Sequence, residues 1–346
     1  MTIHSATMKK YSVGIVGYSW AAGAHIDAIN KTSTGLVSAV CSSRRLDPAL
    51  VSASHGCQIK CYTNLAEMLA DPELDVISIC SYPSEHAQQA ILAAKAGKHL
   101  IIEKPLALNW SDCLAVRDAV DEAGVKTCVC FECRYSSQFI TIKSIIDKGL
   151  LGQIHYGEVD YYHGIGPWYG QYRWNISKAI AGSSLLSAGC HALDALLLCM
   201  GNEVASIHGF TTNSSNEDFA KYDYPTTSVS ILKFKNGSVG KVASVIDCLQ
   251  PYYFHVHLVG SEGSLLDNKF YSTQLKGLNK GKWSELSMKM LDSGDVSDHP
   301  YQLQFETFFQ SLAEGKEMPL TNLAEALHTH KIMFAADNSA SQNSLQ

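Results

Sequence analysis

The sequence predicts an α/β domain built on a parallel, doubly wound sheet, followed by an α+β domain with a large open, mostly antiparallel sheet. Three observations predict this. Over residues 1–131 short apolar runs alternate with helical stretches, the βαβ pattern of a parallel sheet. After Phe131 long strand-like segments follow one another without a helix after each, which indicates antiparallel pairing. The 346 residues, 46% apolar and 17% charged, exceed one ordinary core and suffice for two. The predicted domains are 1–131 and 132–346, divided by a change of period and not by a tether, with the C-terminal helices as candidates to pack back on the first.

The elements follow in order. Residues 11–17 read as a strand, 21–31 as a helix, 36–41 as a strand and 64–70 as a helix. Strand 76–80, helix 84–96 closed by Gly97, and strand 99–102 come next, then helix 111–123 and strand 126–131. A helix over 137–148 ends at Gly149. Strands follow at 154–163, 204–212, 228–235, 238–247 and 254–259, with Asn236-Gly237 as a hairpin turn. Helices close the chain at 301–314 and 322–339.

Composition excludes several classes of function. A net charge of −6 opposes nucleic-acid binding, which needs a basic footprint. Runs of 18 or more apolar residues are lacking and the N-terminus makes a poor signal peptide, so a soluble, cytoplasmic protein with no membrane partner is expected. The eleven cysteines are odd in number and many lie within apolar runs (Cys80, Cys128, Cys130, Cys199), as reduced thiols do. Cys130-x-x-Cys133 lacks a second cysteine pair, and no acid or thiol is visible beside His255-x-His257 or His328-x-His330, so no metal is expected.

Five segments carry candidate chemistry. Glu103-Lys104-Pro105 follows the apolar run Leu100-Ile101-Ile102, which puts a lysine at the carboxyl end of a buried strand, where open α/β sheets bind ligands. Proline keeps Lys104 out of a following helix. The turn Gly17-Tyr18-Ser19-Trp20-Ala21-Ala22 matches G-x-G-x-x-G/A at its first and third positions, with Ser19 replacing the second glycine. That turn is either a structural βα turn or a pyrophosphate site on a helix N-terminus. The second strand ends in Ser42-Ser43-Arg44-Arg45 without a carboxylate, which suits a 2′-phosphate and so NADP over NAD; a solvated loop is the alternative.

In Gly182–Asp194, a helix from Ser184 onward would put Ser187, His191 and Asp194 on one face. His191 could then move a proton, with Asp194 fixing its tautomer and Ser187 touching a substrate; alternatively it is a core histidine satisfied by Asp194. Trp168, Tyr169 and Trp174 lie in a Gly- and Pro-punctuated aromatic stretch that suits stacking against a sugar, or else sheet or subunit packing.

With these residues assembled, the chain resembles the glucose–fructose oxidoreductase / inositol dehydrogenase / rhizopine-catabolism (Gfo/Idh/MocA) family of NAD(P)-dependent oxidoreductases over nearly its full length. The segment ILAAKAGKHLIIEKP, ending at Pro105, resembles the family's A-G-K-H-V-x-x-E-K-P. Gly14-Ile15-Val16-Gly17 with Ala22, Arg134-Tyr135, Gly149-x-x-Gly152 and the segment from Gly182 to Asp194, similar to G-G-x-x-x-D-x-G-x-H-x-x-D, continue the resemblance. The resemblance implies a Rossmann domain and an open-faced second domain whose sheet forms a homodimer or homotetramer. It implies that Lys104 touches nicotinamide ribose and the reacting hydroxyl, that His191 exchanges the proton, and that Glu103 contacts cofactor ribose. Ser81, Tyr82 and His86 would line the cofactor path, although the customary Thr-Pro is here Ser-Tyr. Arg134 would join the substrate contacts, and the Lys104-Pro105 bond is often cis in the family.

Two departures bear on chemistry: Ser187 stands where the family commonly carries aspartate, and Glu132 where it often has an amide. A serine supplies no charge to the histidine. The expected function is hydride transfer between nicotinamide and a secondary alcohol or ketone of a sugar, polyol or glycoside. The alternatives are a redox-neutral glycoside-processing enzyme with tightly bound NAD(H), and a non-catalytic sugar- or NADP-sensing protein.

Overall fold

The computed structural model describes residues 9–292 and 299–342. They fall into two compact units, one drawn from residues 9–107, 111–130 and 300–325, the other from residues 108–110, 131–292, 299 and 326–342. The chain thus changes unit between Cys130 and Phe131 and returns to the first unit at Pro300.

In the first unit six strands form one sheet: β1 (Tyr11–Val16), β2 (Gly35–Cys41), β3 (Lys60–Tyr62), β4 (Val76–Ile79), β5 (His99–Ile102) and β6 (Thr127–Val129). Their order is β3-β2-β1-β4-β5-β6 and every pairing is parallel. The order reverses between β1 and β4, and the carboxyl ends of strands at such a point frame a ligand crevice. Both faces of the sheet are covered, which is why its strands read as continuous apolar runs; Val13, Ile15, Ile77, Ile79, Leu100 and Ile101 are wholly buried.

The helix Tyr301–Ala313 belongs to this unit and packs on the helix Trp20–Asn30. Phe309 stacks on Tyr11 at 5.8 Å between ring centroids and lies so close to Gly35 that a Cβ there would sit 2.4 Å from its ring. The helix Pro48–His55 and strand β3 escaped the sequence reading. The helix carried a usable signal: Asp47 caps it by accepting from Ala49 N and Leu50 N, Pro48 opens it, and Gly56 closes it in the left-handed region. Strand β3 is three half-exposed or exposed residues and has no apolar run to betray it.

In the second unit eight strands form one sheet: β7 (Ile154–Tyr162), β8 (Val204–Thr212), β9 (Thr227–Phe234), β10 (Val239–Val245), β11 (Tyr253–Gly260), β12 (Gly263–Leu266), β13 (Lys269–Ser272) and β14 (Ser284–Glu285). The order is β14-β13-β12-β11-β7-β10-β9-β8; β7 and β10 are parallel and the other pairs antiparallel. Asn236-Gly237 makes the predicted hairpin, Asn236 Oδ1 accepting from Ser238 N at 2.9 Å. The helix Cys190–Met200 lies on β7 and β10, with Ser137–Asp147 against that helix. The segment Lys178–Met200 is long and apolar enough to cross a membrane, contrary to the expectation from the sequence, but 83% of its apolar window is buried inside the fold, as in a core helix. Among the described residues no disulfide forms.

Candidate active site

The first unit holds the turn after β1. Gly17 holds φ at +93° and donates its N–H to Cys41 O at 2.9 Å. A Cβ on Gly17 would stand 2.8 Å from Cys80 O, so the crossing of this turn over the end of β4 admits only glycine. Ser19 is the extended N-cap of the helix Trp20–Asn30, makes no side-chain cap bond, and no acid stands in the first turn. Those first-turn amides fit a dinucleotide pyrophosphate. Ala22 is fully buried, so its role is close helix–sheet packing.

Arg44, at the end of β2, donates from its guanidinium to Tyr18 O at 3.0 Å and so reaches the glycine turn. Ser42 Oγ accepts from Arg44 N at 3.2 Å, and Ser43 is exposed beside it. Ser81 donates to Gln89 Oε1 at 2.6 Å, and Tyr82 is half exposed.

Two residues expected at the cofactor have other occupations. His86 is buried, with Nδ1 2.7 Å from Pro105 O and Nε2 3.1 Å from Ser81 O. Burial pushes its pKa below the ordinary value, against the pull of the two carbonyls. It ties the Lys104-Pro105 loop to the Ser81 loop and does not present a nitrogen to a ligand. Glu103 is likewise buried: Oε1 meets His25 Nε2 at 2.8 Å and accepts from Tyr301 OH at 2.6 Å, while Oε2 accepts from Lys104 N at 3.1 Å. The carboxylate is therefore a hub that holds the lysine's backbone, because strand β5 delivers its side chain inward against the helices. The Lys104-Pro105 bond is cis.

Burial opposes charge on His25, but the neighbouring Cys80 sulfur and the Glu103 carboxylate prevail and raise its pKa from 6.5 to about 10. Burial likewise opposes the Glu103 carboxylate, and His25, Lys104 and Tyr301 prevail in holding its pKa well below 4.5. Stability from the raised His25 is complete below pH 6.5 and lost as pH rises through about 10; stability from Glu103 is present above pH 4.5 and lost on acidification. Urea unfolding at pH 6 and pH 9 should show the wild type weaker at pH 9. Glu103→Gln should cost about 3 kcal/mol at pH 6 and flatten that slope; an unchanged slope would count against the pair.

The second unit holds a cluster of its own. Directly after Phe131 the 3-10 turn Glu132–Tyr135 buries Glu132, Cys133, Arg134 and Tyr135 together. The segment Leu185–Gly189 is a π-helical turn, after which Cys190–Met200 continues as α-helix. The expected α-helical register from Ser184 is therefore offset. Asp194 does not attend His191: its carboxylate accepts from Arg134 Nε at 2.8 Å and Nη2 at 2.7 Å, and from Thr329 Oγ1 at 2.8 Å. Arg134, expected at the substrate, is by the same token one half of a buried bidentate ion pair. His191, also buried, instead has Nε2 3.7 Å from Glu132 Oε1 and Nδ1 3.6 Å from Cys133 Sγ. His299 Nε2 stands 3.7 Å from the same Glu132 oxygen. Ser187 is buried in the π-helical turn beside Tyr224. Ser183 anchors that turn, accepting from Leu186 N at 3.0 Å and donating to Asp337 Oδ2 at 2.6 Å.

Of the aromatic stretch, Trp168 remains 59% exposed, donating Nε1–H to Gly164 O at 3.0 Å and meeting Phe219 edge-on. Tyr169 packs edge-on to His163 at 4.7 Å, and Trp174 lies half-buried in the short helix Tyr172–Asn175. Trp168 thus keeps a surface for a ligand, while Tyr169 has a packing role as well.

Three groups of donor atoms lie within 4.8 Å of one another among the described residues: His25, Glu103 and Cys130; Glu132, Cys133 and His191; Glu158, His255 and His257. The sequence paired Cys130 with Cys133, whereas each joins a different group. It showed no acid beside His255-x-His257, but antiparallel pairing sets Glu158 of β7 opposite His257 of β11. Strand register, which links residues a hundred positions apart, is what the sequence leaves hidden.

Comparison with known proteins accords with this geometry. Residues 11–131 match the family described as "Oxidoreductase family, NAD-binding Rossmann fold", and residues 139–266 match the "GFO/IDH/MocA C-terminal domain". The chain is 23% identical over 261 residues to a myo-inositol 2-dehydrogenase of Thermotoga maritima, covering 75% of this chain and 76% of that one. It is 27% identical over 162 residues to a scyllo-inositol 2-dehydrogenase (NADP(+)) of Bacillus subtilis, covering 47% and 45%. The solved structure of a levoglucosan dehydrogenase in complex with NADH and levoglucosan superposes with a TM-score of 0.82 at 21% identity, over 97% of this chain and 98% of that one. The chain belongs to the GFO/IDH/MocA family of oxidoreductases, which is built on an NAD-binding Rossmann fold.

Proposed function

We propose that the protein interconverts a secondary alcohol and its ketone on a sugar, polyol or glycoside, with a nicotinamide dinucleotide as redox partner. The observation that carries this reading is the buried His25–Glu103–Tyr301 hub, which holds the backbone of Lys104 at the carboxyl end of β5. The dinucleotide, when bound, supplies the hydride chemistry. Lys104 steadies negative charge developing on the reacting oxygen, and His191 takes or returns that oxygen's proton. Gly17, Ser19 and Trp20 hold the pyrophosphate, with Ser81 and Tyr82 along the path of the dinucleotide. Trp168, Tyr169 and Trp174 offer ring faces to the carbohydrate, and Ser187 a hydroxyl.

NADP is proposed over NAD, on the support of Arg44 beside the glycine turn and the absence of a carboxylate from Ser42 to Arg45. Arg44→Ala should weaken NADP binding by about tenfold and NAD binding far less, since one phosphate contact with arginine contributes about 1.5 kcal/mol. Equal losses in calorimetric titrations with the two dinucleotides would reject the preference.

The reading is tested with a panel of sugars and polyols and both dinucleotides, following absorbance of the reduced nicotinamide. Net reduction with at least one substrate is expected. Glycoside turnover without added dinucleotide would point to the redox-neutral alternative, and binding without any turnover to a sensor; either result overturns the dehydrogenase reading. We further propose a cytoplasmic homodimer or homotetramer assembled through the open sheet, where Phe210 and Ile231 are exposed on β8 and β9. A monomer by light scattering would reject that assembly.

A further inference from the structure

We propose that Glu132 orients His191 so that its Nε2 carries the resting hydrogen and Nδ1 is the nitrogen that exchanges the substrate's proton. The inference rests on the dehydrogenase reading for its chemistry, but its geometry stands on the cluster alone. An ionised carboxylate only accepts hydrogen bonds, so the ring nitrogen turned toward it is the one that bears hydrogen. In His191 that nitrogen is Nε2, which stands 3.7 Å from Glu132 Oε1, at charge-pairing distance. A neutral imidazole has one N–H, so Nδ1 is left with its lone pair. Nδ1 lies 3.6 Å from the Cys133 sulfur, which is also 3.9 Å from Glu132 Oε1, and a thiol is a weak partner that a substrate hydroxyl can displace.

Other neighbours favour the same assignment. Asp194, on the histidine's own helix, is occupied by Arg134 and Thr329 and does not compete for the ring. From β7 the Tyr161 phenol comes near Cys133 and Cys190, and its hydroxyl is within 3.0 Å of His163 Nδ1. His299 meets Glu132 at the same oxygen, 3.7 Å away. Glu132 and His191 are both buried, so the carboxylate acts on the ring with little screening by water.

In the oxidising direction the alcohol's O–H bond breaks and its proton forms an N–H bond at Nδ1. The carbon's hydride leaves to the oxidised nicotinamide, and the imidazolium so formed is stabilised by the Glu132 carboxylate. Reduction reverses each transfer. Glu132 is thus a positioning residue, acting through His191.

The test uses the full chain labelled with 15N-histidine, the His191 signals being assigned by their loss in His191→Asn. Wild-type His191 is expected as the Nε2–H tautomer at neutral to mildly alkaline pH. Glu132→Gln, which keeps size and removes charge, is expected to lower kcat by about 10²-fold with KM and dinucleotide affinity little changed. Cys133→Ala should change kcat by less than about threefold, as removal of a displaceable neighbour should. A wild-type Nδ1–H tautomer, a Glu132→Gln enzyme within threefold of wild type, or stoichiometric bound zinc lost on Glu132→Gln would each overturn the assignment. If Glu132→Gln fails to fold, the wild-type spectrum alone decides. If no substrate turns over, the function proposed above fails while the tautomer remains readable, so the two failures are distinct.

Discussion

Lys104→Met is expected to lower kcat/KM by about 10³-fold while leaving dinucleotide affinity nearly unchanged. A fixed donor aimed at developing negative charge is commonly worth about 10²–10³ in rate, and methionine keeps the length and the apolar stem while deleting the charge. The structure makes this lysine a fixed element: Glu103 Oε2 accepts from its backbone N–H, and Glu103 is itself tied to His25 and Tyr301. On the far side, His86 bonds Pro105 O. Steady-state kinetics on whichever substrate the panel identifies, together with calorimetric titration of the dinucleotide, separates the two effects. A variant that loses affinity and keeps kcat would place Lys104 in binding and not in chemistry.

Asp194→Ala is expected to destabilise the protein by about 3–5 kcal/mol, the usual consequence of stranding one member of a buried ion pair. Arg134 would stay buried without its bidentate carboxylate, and Thr329 would lose its acceptor. For a unit of this size the change corresponds to roughly 10 °C in melting temperature. Calorimetry checks it, and a loss below about 1 kcal/mol would show that water or a rearranged neighbour takes the place of Asp194. The double variant Arg134→Met with Asp194→Leu should recover most of the loss, because no charge then stays buried alone.

Legibility followed the range of the interaction. Strands β1, β4 and β5 were readable because a sheet covered on both faces needs unbroken apolar runs, and Gly17 because its turn admits no side chain. The hairpin at Asn236-Gly237 was readable for the same local reason. By contrast, Glu103 and His86 were read as cofactor contacts, and the structure gives both of them protein partners. Motif spacing locates a residue without saying which way its side chain turns, and both turn inward. Arg134 and Asp194 were assigned to different tasks until the structure showed them bonded to each other across 60 positions. Cys133 was read only as the partner of Cys130, and His299 carried no local signal; only folding sets them beside Glu132 and His191.

By itself, then, the sequence determined the two architectures and the family, and singled out Lys104 and His191 as candidates, since each depends on patterns within a few dozen residues. Only the tertiary structure decided the partners of those residues. A single π-helical turn at Leu185–Gly189 offsets Ser187 from the α-helix that carries both His191 and Asp194, and packing against the turn Glu132–Tyr135 gives Asp194 to Arg134 and His191 to Glu132. That shift rotates side chains by a fraction of a turn, and linear spacing, which assumes one helical period throughout, has no means of registering it.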